Sequence, residues 1–191
     1  DGVVSAEEVA SHVDEATALV SVMAANNETG VIQPTAAIIK AAHAAGAFAH
    51  VDAVQAFGRI DLDCADADAV SVAAHKIGGP LGVGAVAMRT RCPFDAQSLG
   101  GGQEMGRRPG TQDVAGAVAF AAAAEQVCRE LPSVRPQVEA LANHIYERIC
   151  APGTGIIPTT VAHVDQTRLP GMVSVMVPSM DSESLVLKLD D

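Results

Sequence analysis

The sequence predicts an α/β fold in which helices flank a mainly parallel sheet. Two observations indicate it: short apolar strand-like runs alternate with helix-like segments, and polar or glycine-rich turns follow the runs. This alternation is typical of parallel strands joined by crossover helices. The 191-residue chain is 49% hydrophobic but only 3% aromatic, so Val, Ile, Leu, Ala and Met must fill its core.

The first half of the chain carries clear signals for helix and strand boundaries. The pattern Ser5-Ala6-Glu7-Glu8 is a capping box, and Gly46 is a typical residue to follow a helix end. The expected elements are, in order, a helix from Ser5 to about Glu15, a strand at 18–24, a polar turn at 26–30, a helix from Thr35 to Ala45, and strands at 47–51, 69–73 and 82–88.

The second half begins with a glycine-rich loop at 99–111, followed by a helix from about Gln112 to Glu130. Pro132 predicts a break, and then a second helix to about Cys150 and a strand at 172–177. We therefore expect two domains: residues 1–130 as part of a large domain and residues 131–191 as the start of a smaller α+β C-terminal domain. The chain opens without Met and stops in or just after a helix, which indicates a fragment.

Composition and charge exclude several classes of partner. The formal net charge is −11 without a compensating basic stripe, so we expect no nucleic-acid binding. The small-apolar stretch 114–124 is about half of the length that crosses a bilayer, so it predicts a packed helix and no membrane association. No signal or transit segment is visible, which predicts a cytoplasmic protein. The four cysteines form no C-x-x-C pair, favouring reduced thiols.

Three polar side chains follow three of the predicted strands. Asn27 and Asp52 come after the strands at 18–24 and 47–51, and Lys76, one of only three lysines, comes after the strand at 69–73. Because ligands of parallel sheets bind beyond the carboxyl ends of strands, we expect these residues to share one site. A carboxylate and an amine are what pyridoxal phosphate needs, since the carboxylate keeps a proton on the pyridine nitrogen and the amine forms a Schiff base with the aldehyde.

Simpler interpretations exist for each of these residues. Lys76 on its own is compatible with a surface lysine, and Asp52 with the cap of a turn. His50 and Asp52 alternate along one strand and so face the same side, which suggests a metal pair, but no third ligand has suitable spacing and we expect no metal. His50 is then a packed or supporting residue. The glycine-rich loop lacks the Gly-Lys-Ser/Thr ending of a P-loop and is by itself a weak phosphate signal.

Four sequence blocks carry a resemblance to a known family. They are Val20–Pro34, His50–Gly58, His75–Gly84 and Gly100–Thr111. In this order they closely resemble the cysteine desulfurases of the NifS/IscS type, which are class V pyridoxal phosphate enzymes of fold type I. The resemblance covers most of residues 18–130, and the tail through Leu169-Pro170 and residues 182–185 is similar too. It implies the large-domain part of a pyridoxal-phosphate-dependent transferase.

The resemblance also implies a role for each matching residue. Lys76 would form the internal Schiff base and shuttle the proton, and Asp52 would form a salt bridge to the pyridinium nitrogen. Asn27 and Gln55 would hydrogen-bond the phenolic oxygen of the ring. The implied reaction converts L-cysteine to L-alanine and passes the sulfur to an enzyme persulfide, for iron–sulfur clusters or thio-modified cofactors and RNA.

The phosphate end of the implied site shows two matches in this chain and one departure. His75, the second catalytic candidate beside Lys76, would lie by the phosphate, and Thr111 would reach the phosphate of the neighbouring subunit's cofactor. The implied assembly is therefore a homodimer that also meets a sulfur-acceptor or scaffold protein. Similar enzymes usually carry Ser or Thr two residues before the histidine, where this chain has Ala73, and we expect weaker phosphate anchoring as a result.

Several family features do not align with any part of this chain. They are an N-terminal phosphate-binding loop, a ring-stacking histidine, a nucleophilic cysteine and a carboxylate-binding arginine. We therefore expect the fragment alone to be inactive. Two alternatives remain open: another class V enzyme, such as a selenocysteine lyase or an aminotransferase, or a non-catalytic remnant of the fold that serves dimerisation or docking.

Overall fold

The computed structural model describes residues 2–160, 167–178 and 180–190. Short 3-10 turns at Ala74–Ile77 and Gln103–Gly106 accompany the regular elements. These elements are α1 (Ala6–His12), β1 (Leu19–Met23), α2 (Thr35–Ala44), β2 (Phe48–Asp52), β3 (Ala69–Ala73), β4 (Gly84–Met88), α3 (Val114–Ile149), β5 (Ile157–Pro158), β6 (Val175–Met176) and α4 (Ser182–Asp190).

The main sheet has the strand order β1-β2-β3-β4. The first three strands are parallel and β4 runs antiparallel to β3, which confirms the predicted mainly parallel sheet. In register, Met23 of β1 lies beside Asp52 of β2, and Asp52 lies beside Ser71 of β3. The carboxyl ends of the three parallel strands therefore meet at one edge of the sheet.

The two faces of this sheet differ in what covers them. Ala49 and Val51 of β2 are buried in a core that also contains Ile39 and Ala42 of α2. Because side chains alternate along a strand, His50 and the other even-numbered residues of β2 point to the opposite face, where they are only half-buried. Small side chains on the core face bring α2 close to the strands, which is how an almost aromatic-free sequence packs a core.

The prediction of two helices separated at Pro132 was wrong, because α3 continues from Val114 to Ile149 through both Pro132 and Pro136. Proline fixes φ near its helical value and removes one main-chain hydrogen bond, so it need not end a long helix that has other support. Arg135 pairs with Glu139 one turn later at 2.8 Å, on the same stretch. The helix crosses residue 131, and the division into domains 1–130 and 131–191 stays a prediction.

Two smaller differences concern element ends. Helix α1 stops at His12 rather than near Glu15, because Val13 is extended and Asp14 accepts the N–H of Ala16 in a competing turn at 3.0 Å. The strand expected at 172–177 is present only as β6, which pairs with the unpredicted β5. Within the described part of the chain, none of the helices combines the length and hydrophobicity that crossing a bilayer demands.

Candidate active site

The candidate site lies at the carboxyl ends of β1, β2 and β3. Asp52 is the last residue of β2, Asn27 follows the end of β1 by four residues, and Lys76 follows the end of β3 by three. The structure thus places all three segments at the same edge of the sheet, as the strand pattern predicted.

The Asp52 carboxylate is half-buried and accepts a single main-chain hydrogen bond. Its Oδ1 accepts the N–H of Val54 at 2.9 Å. The flanking backbone is fixed on both sides, since Ala24 N donates to Asp52 O at 2.8 Å and Ala53 N donates to Ser71 O at 2.9 Å. Oδ2 accepts no hydrogen bond from any described residue. One carboxylate oxygen is therefore available to a ligand.

Lys76 lies in a tight turn that packing and glycine residues shape. Ala74 is fully buried and Ile77 is buried on the other side of the lysine. Gly78 adopts the left-handed conformation at φ 80°, which other residues rarely do. At Gly79 a Cβ atom would lie only 3.0 Å from Ala74 O, so the turn needs glycine there too. The half-buried Lys76 side chain makes no ion pair with Asp52 in the part of the chain that the structure describes.

Arg59 links the lysine turn to the turn that follows Asp52. Its Nη2 donates to Lys76 O at 3.4 Å and its Nη1 donates to Gln55 Oε1 at 3.3 Å. Because the carbonyl oxygen of the buried Gln55 faces Arg59, its amide nitrogen is left to donate elsewhere. Arg59 was not predicted from the sequence, where its place four residues after Gln55 is the only signal for it.

The remaining predicted residues are exposed. Asn27 and His75 lie on the two loops at the sheet edge, and Thr111 lies on the glycine-rich loop, where its main-chain oxygen accepts from Arg108 Nη1 at 3.4 Å. This loop borders a groove of about 600 Å³ on the half-buried sheet face, lined by residues of β3 and β4 together with Arg107 and Arg108. The structure therefore brings the loop to the face beside the site, while the role of Thr111 stays a prediction.

A row of hydrogen-bonded side chains crosses the same face. Ser21 Oγ lies 2.8 Å from His50 Nδ1, and His50 Nε2 lies 2.8 Å from Ser71 Oγ. The three residues belong to β1, β2 and β3. His50 was expected from the sequence to be a packed or supporting residue. The two serines could not be predicted, because only strand pairing brings them to the histidine.

A second buried carboxylate lies just before β3. Asp68 is 1% exposed and accepts hydrogen bonds from Ala49 N, His43 Nε2 and Arg91 Nε. Burial by itself raises the pKa of Asp68, but the hydrogen bonds from Ala49, His43 and Arg91 and the charge of Arg91 outweigh it and hold the pKa below its usual 3.8. Nothing in the acidic stretch around Asp68 distinguished it in the sequence.

Thiol and metal chemistry have little support among these side chains. All four cysteines are free, and burial, followed by the charge of Asp63, raises the pKa of the Cys64 thiol and so disfavours its nucleophilic thiolate form. Across residues 2–160, 167–178 and 180–190, His, Cys, Asp and Glu side chains nowhere gather in threes suited to a metal ion.

Comparisons with family models and with curated proteins place the chain in the same family. The model of the family "Aminotransferase class-V" matches residues 1–191. A cysteine desulfurase of Enterobacter agglomerans is 38% identical over 92% of this chain and 43% of its own length. The cysteine desulfurase IscS of an Anaeromyxobacter species is 40% identical over 93% of this chain and 44% of its own length. The chain therefore spans less than half of these curated relatives.

Solved structures show the same likeness. A NifS-like protein superposes with a TM-score of 0.89 at 37% identity, covering 99% of this chain and 52% of its own. DndA from Streptomyces lividans superposes with a TM-score of 0.79 at 32% identity, covering all of this chain and 54% of its own. These similarities confirm the predicted fold class.

Proposed function

The chain belongs to the class V aminotransferase family, and we propose that the whole protein is a pyridoxal-phosphate-dependent cysteine desulfurase. The observation that carries the proposal is the shared sheet edge of Asp52 and Lys76, in a chain 38–40% identical to two cysteine desulfurases. The resemblance to NifS- and IscS-type proteins, first stated from the four sequence blocks, is confirmed by these relatives. Cysteine as substrate follows from the names of those relatives, and L-alanine as product is what the resemblance to the family implies.

The available donors and acceptors fit pyridoxal phosphate. Asp52 Oδ2 is an acceptor without a described donor, Gln55 offers an amide nitrogen, and Lys76 offers a primary amine that no described carboxylate neutralises. These are the groups that a protonated pyridine nitrogen, a phenolic oxygen and an aldehyde require. When bound, this cofactor supplies an electron sink that makes the α-proton of an amino acid removable.

Side chains of the protein would bind the cofactor and carry out the proton transfer. Asp52 would keep a proton at the ring nitrogen, and Gln55 and Asn27 would donate to the ring oxygen. Lys76 would hold the aldehyde carbon and then, as a neutral amine, accept the proton from the α-carbon of L-cysteine. His75 would face the phosphate. Ala73 offers no hydroxyl there, so we expect weaker anchoring of the phosphate.

The assembly and its partners belong to the same proposal. We propose a cytoplasmic homodimer in which Thr111 approaches the phosphate held by the other subunit, and a sulfur-acceptor or scaffold protein that receives the sulfur. The exposed position of Thr111 and the position of its loop over the sheet face support this arrangement.

The test uses the full-length protein and a matched pair of lysine variants. We expect the protein to be yellow, to release alanine from L-cysteine, and to lose its covalently bound cofactor band in Lys76→Ala. Lys40→Ala, which removes an exposed lysine from α2, should keep both properties. A colourless protein that takes up no added cofactor would contradict the proposal and favour a scaffold. Alanine release from selenocysteine alone would favour a selenocysteine lyase.

A further inference from the structure

The row of Ser21, His50 and Ser71 fixes an imidazole between two hydroxyl groups. Both ring nitrogens of His50 have a partner at 2.8 Å, so the ring cannot rotate without losing both contacts. Ser21 lies directly beside His50 in the register of β1 and β2. Ser71, in contrast, lies two residues beyond the register partner of His50 on β3, so that contact is diagonal, toward the carboxyl end of the strands.

This diagonal contact connects the row to the candidate site. The register partner of Ser71 is Asp52, on the same face of the sheet. Neighbouring strands lie about 4.8 Å apart, so a serine hydroxyl in this position can reach a carboxylate beside it. In the structure Ser71 Oγ instead lies at His50 Nε2, and Asp52 accepts only from Val54 N among the described residues.

We propose that His50 is a positioning residue that holds the Ser71 hydroxyl away from Asp52, so that the free carboxylate oxygen stays available to the protonated ring nitrogen of the cofactor. The inference rests on the proposed function, because it concerns the same carboxylate. A hydroxyl that donates to Asp52 would stabilise its negative charge and compete with the ring N–H for the same oxygen. His50 would thus act on the cofactor without touching it.

A purely structural role for the row makes a different prediction. If the two hydrogen bonds only tie β1, β2 and β3 together, each lost bond should add its own cost, and removing Ser71 after His50 should never help. Competition for Asp52 predicts the opposite, because without the Ser71 hydroxyl the loss of His50 has no consequence for the carboxylate. The sign of the interaction between the two substitutions separates these roles.

The experiment measures cofactor binding in the full-length protein and three variants, His50→Leu, Ser71→Ala and the double variant. Equilibrium dialysis gives the dissociation constant of pyridoxal phosphate, and the ¹⁵N chemical shift of labelled cofactor reports protonation of its ring nitrogen. For His50→Leu we expect about tenfold weaker binding, equivalent to about 1.4 kcal/mol, and partial loss of ring protonation. Ser71→Ala should bind within about twofold of the unsubstituted protein, and the double variant should recover toward it.

The outcomes separate the inference from the function on which it rests. If the unsubstituted protein takes up no cofactor, the proposed function fails and the inference falls with it. If it binds normally but the double variant is as weak as His50→Leu or weaker, the inference alone is overturned. Ser71→Ala decides the question even where His50→Leu does not fold, since weakening of about tenfold by this variant would also overturn it. Melting temperatures of the apoproteins control for damage to the sheet.

Discussion

Asp68 and Asp52 lie at opposite ends of neighbouring strands, and the protein satisfies the two carboxylates very differently. Asp68 precedes β3 and is almost completely buried. Its Oδ2 accepts from His43 Nε2 at 2.8 Å and from Ala49 N at 2.9 Å. Its Oδ1 accepts from Arg91 Nε at 2.9 Å and forms an ion pair with Arg91 Nη2 at 2.7 Å. Every side of this carboxylate is therefore engaged within the chain.

Asp52 ends β2 and is only half-buried, with a single main-chain donor at Oδ1. The neighbouring hydroxyl of Ser71, which could have donated to it, lies instead at His50. No cation contacts Asp52 among the described residues, although Arg59 lies in the next turn and bonds Gln55. The Asp52 carboxylate therefore keeps an oxygen that no described group in the protein uses.

The contrast teaches how to separate a structural carboxylate from a functional one. A carboxylate whose acceptor sites are all used cannot bind a ligand without breaking contacts that stabilise the fold. A carboxylate with an unused oxygen, held in place by rigid backbone, adds little to stability but can receive a ligand cation without rearrangement. We therefore expect substitutions at the two positions to affect stability and cofactor binding in opposite proportion.

Asp68→Ala should have the largest effect on stability. The substitution leaves His43, Arg91 and the N–H of Ala49 without their acceptor. Removing one partner of a buried ion pair lowers the free energy of unfolding by about 3 kcal/mol. We expect a clearly lower urea midpoint for unfolding of the apoprotein, measured on the full-length protein by circular dichroism.

Asp66→Ala provides the matched control for this substitution. Its carboxylate is 90% exposed and lies 3.6 Å from Arg89, a geometry that contributes little. Its urea midpoint should stay close to that of the unsubstituted protein. Equal effects of the two substitutions would mean that the hydrogen bonds of Asp68 do not stabilise the fold as we infer.

The same two aspartates show what the sequence could predict. The shared sheet edge was predictable, because apolar runs identify strands and parallel strands place the residues that follow them together, so Asn27, Asp52 and Lys76 lie at one edge as expected. The bonds of Asp68 were not, because its partners are 19 to 25 residues away and lie on other elements. In the sequence Asp68 is one of several acidic residues in a loop.

Two further misses have the same origin in contacts between distant segments. Pro132 predicted a helix end from local rules, yet α3 continues through it. The Ser21–His50–Ser71 row depends on strand register, which apolar periodicity does not fix to the residue. Local signals therefore predicted most of the elements and the shared sheet edge, while the tertiary arrangement determined the side-chain contacts.

Arg91→Leu removes the arginine that pairs with Asp68 and should lower stability less than Asp68→Ala does. Arg91 makes two contacts to Asp68 Oδ1, but its side chain is 61% exposed and water can replace part of them. We expect a loss of about 1 kcal/mol in the free energy of unfolding, measured as above. In the Asp68→Ala background the same change should cost much less, because its acceptor is already gone.

The stability of the protein at low pH should depend on the lowered pKa of Asp68. Because folding lowers this pKa below its unfolded value near 3.8, the carboxylate's contribution is fully present above about pH 4 and is lost as pH falls through the folded value. We expect the melting temperature of the apoprotein to fall more steeply below pH 4 than that of Asp68→Asn, which cannot titrate. Parallel curves for the two proteins would contradict the assignment.

Asp52→Ala should have a small effect on stability and yet remove most of the cofactor binding. The substitution removes one hydrogen bond, to Val54 N, at a half-buried position where water can enter, so we expect a change of about 0.5 kcal/mol in unfolding free energy. Dialysis should show that the same variant retains little pyridoxal phosphate, because no other described carboxylate follows β2 to keep the ring nitrogen protonated. Asp52→Asn keeps the contact to Val54 and should match the unsubstituted protein in stability while still binding poorly. A large loss of stability in either variant would show that Asp52, like Asp68, belongs to the framework, and the distinction between the two carboxylates would fail.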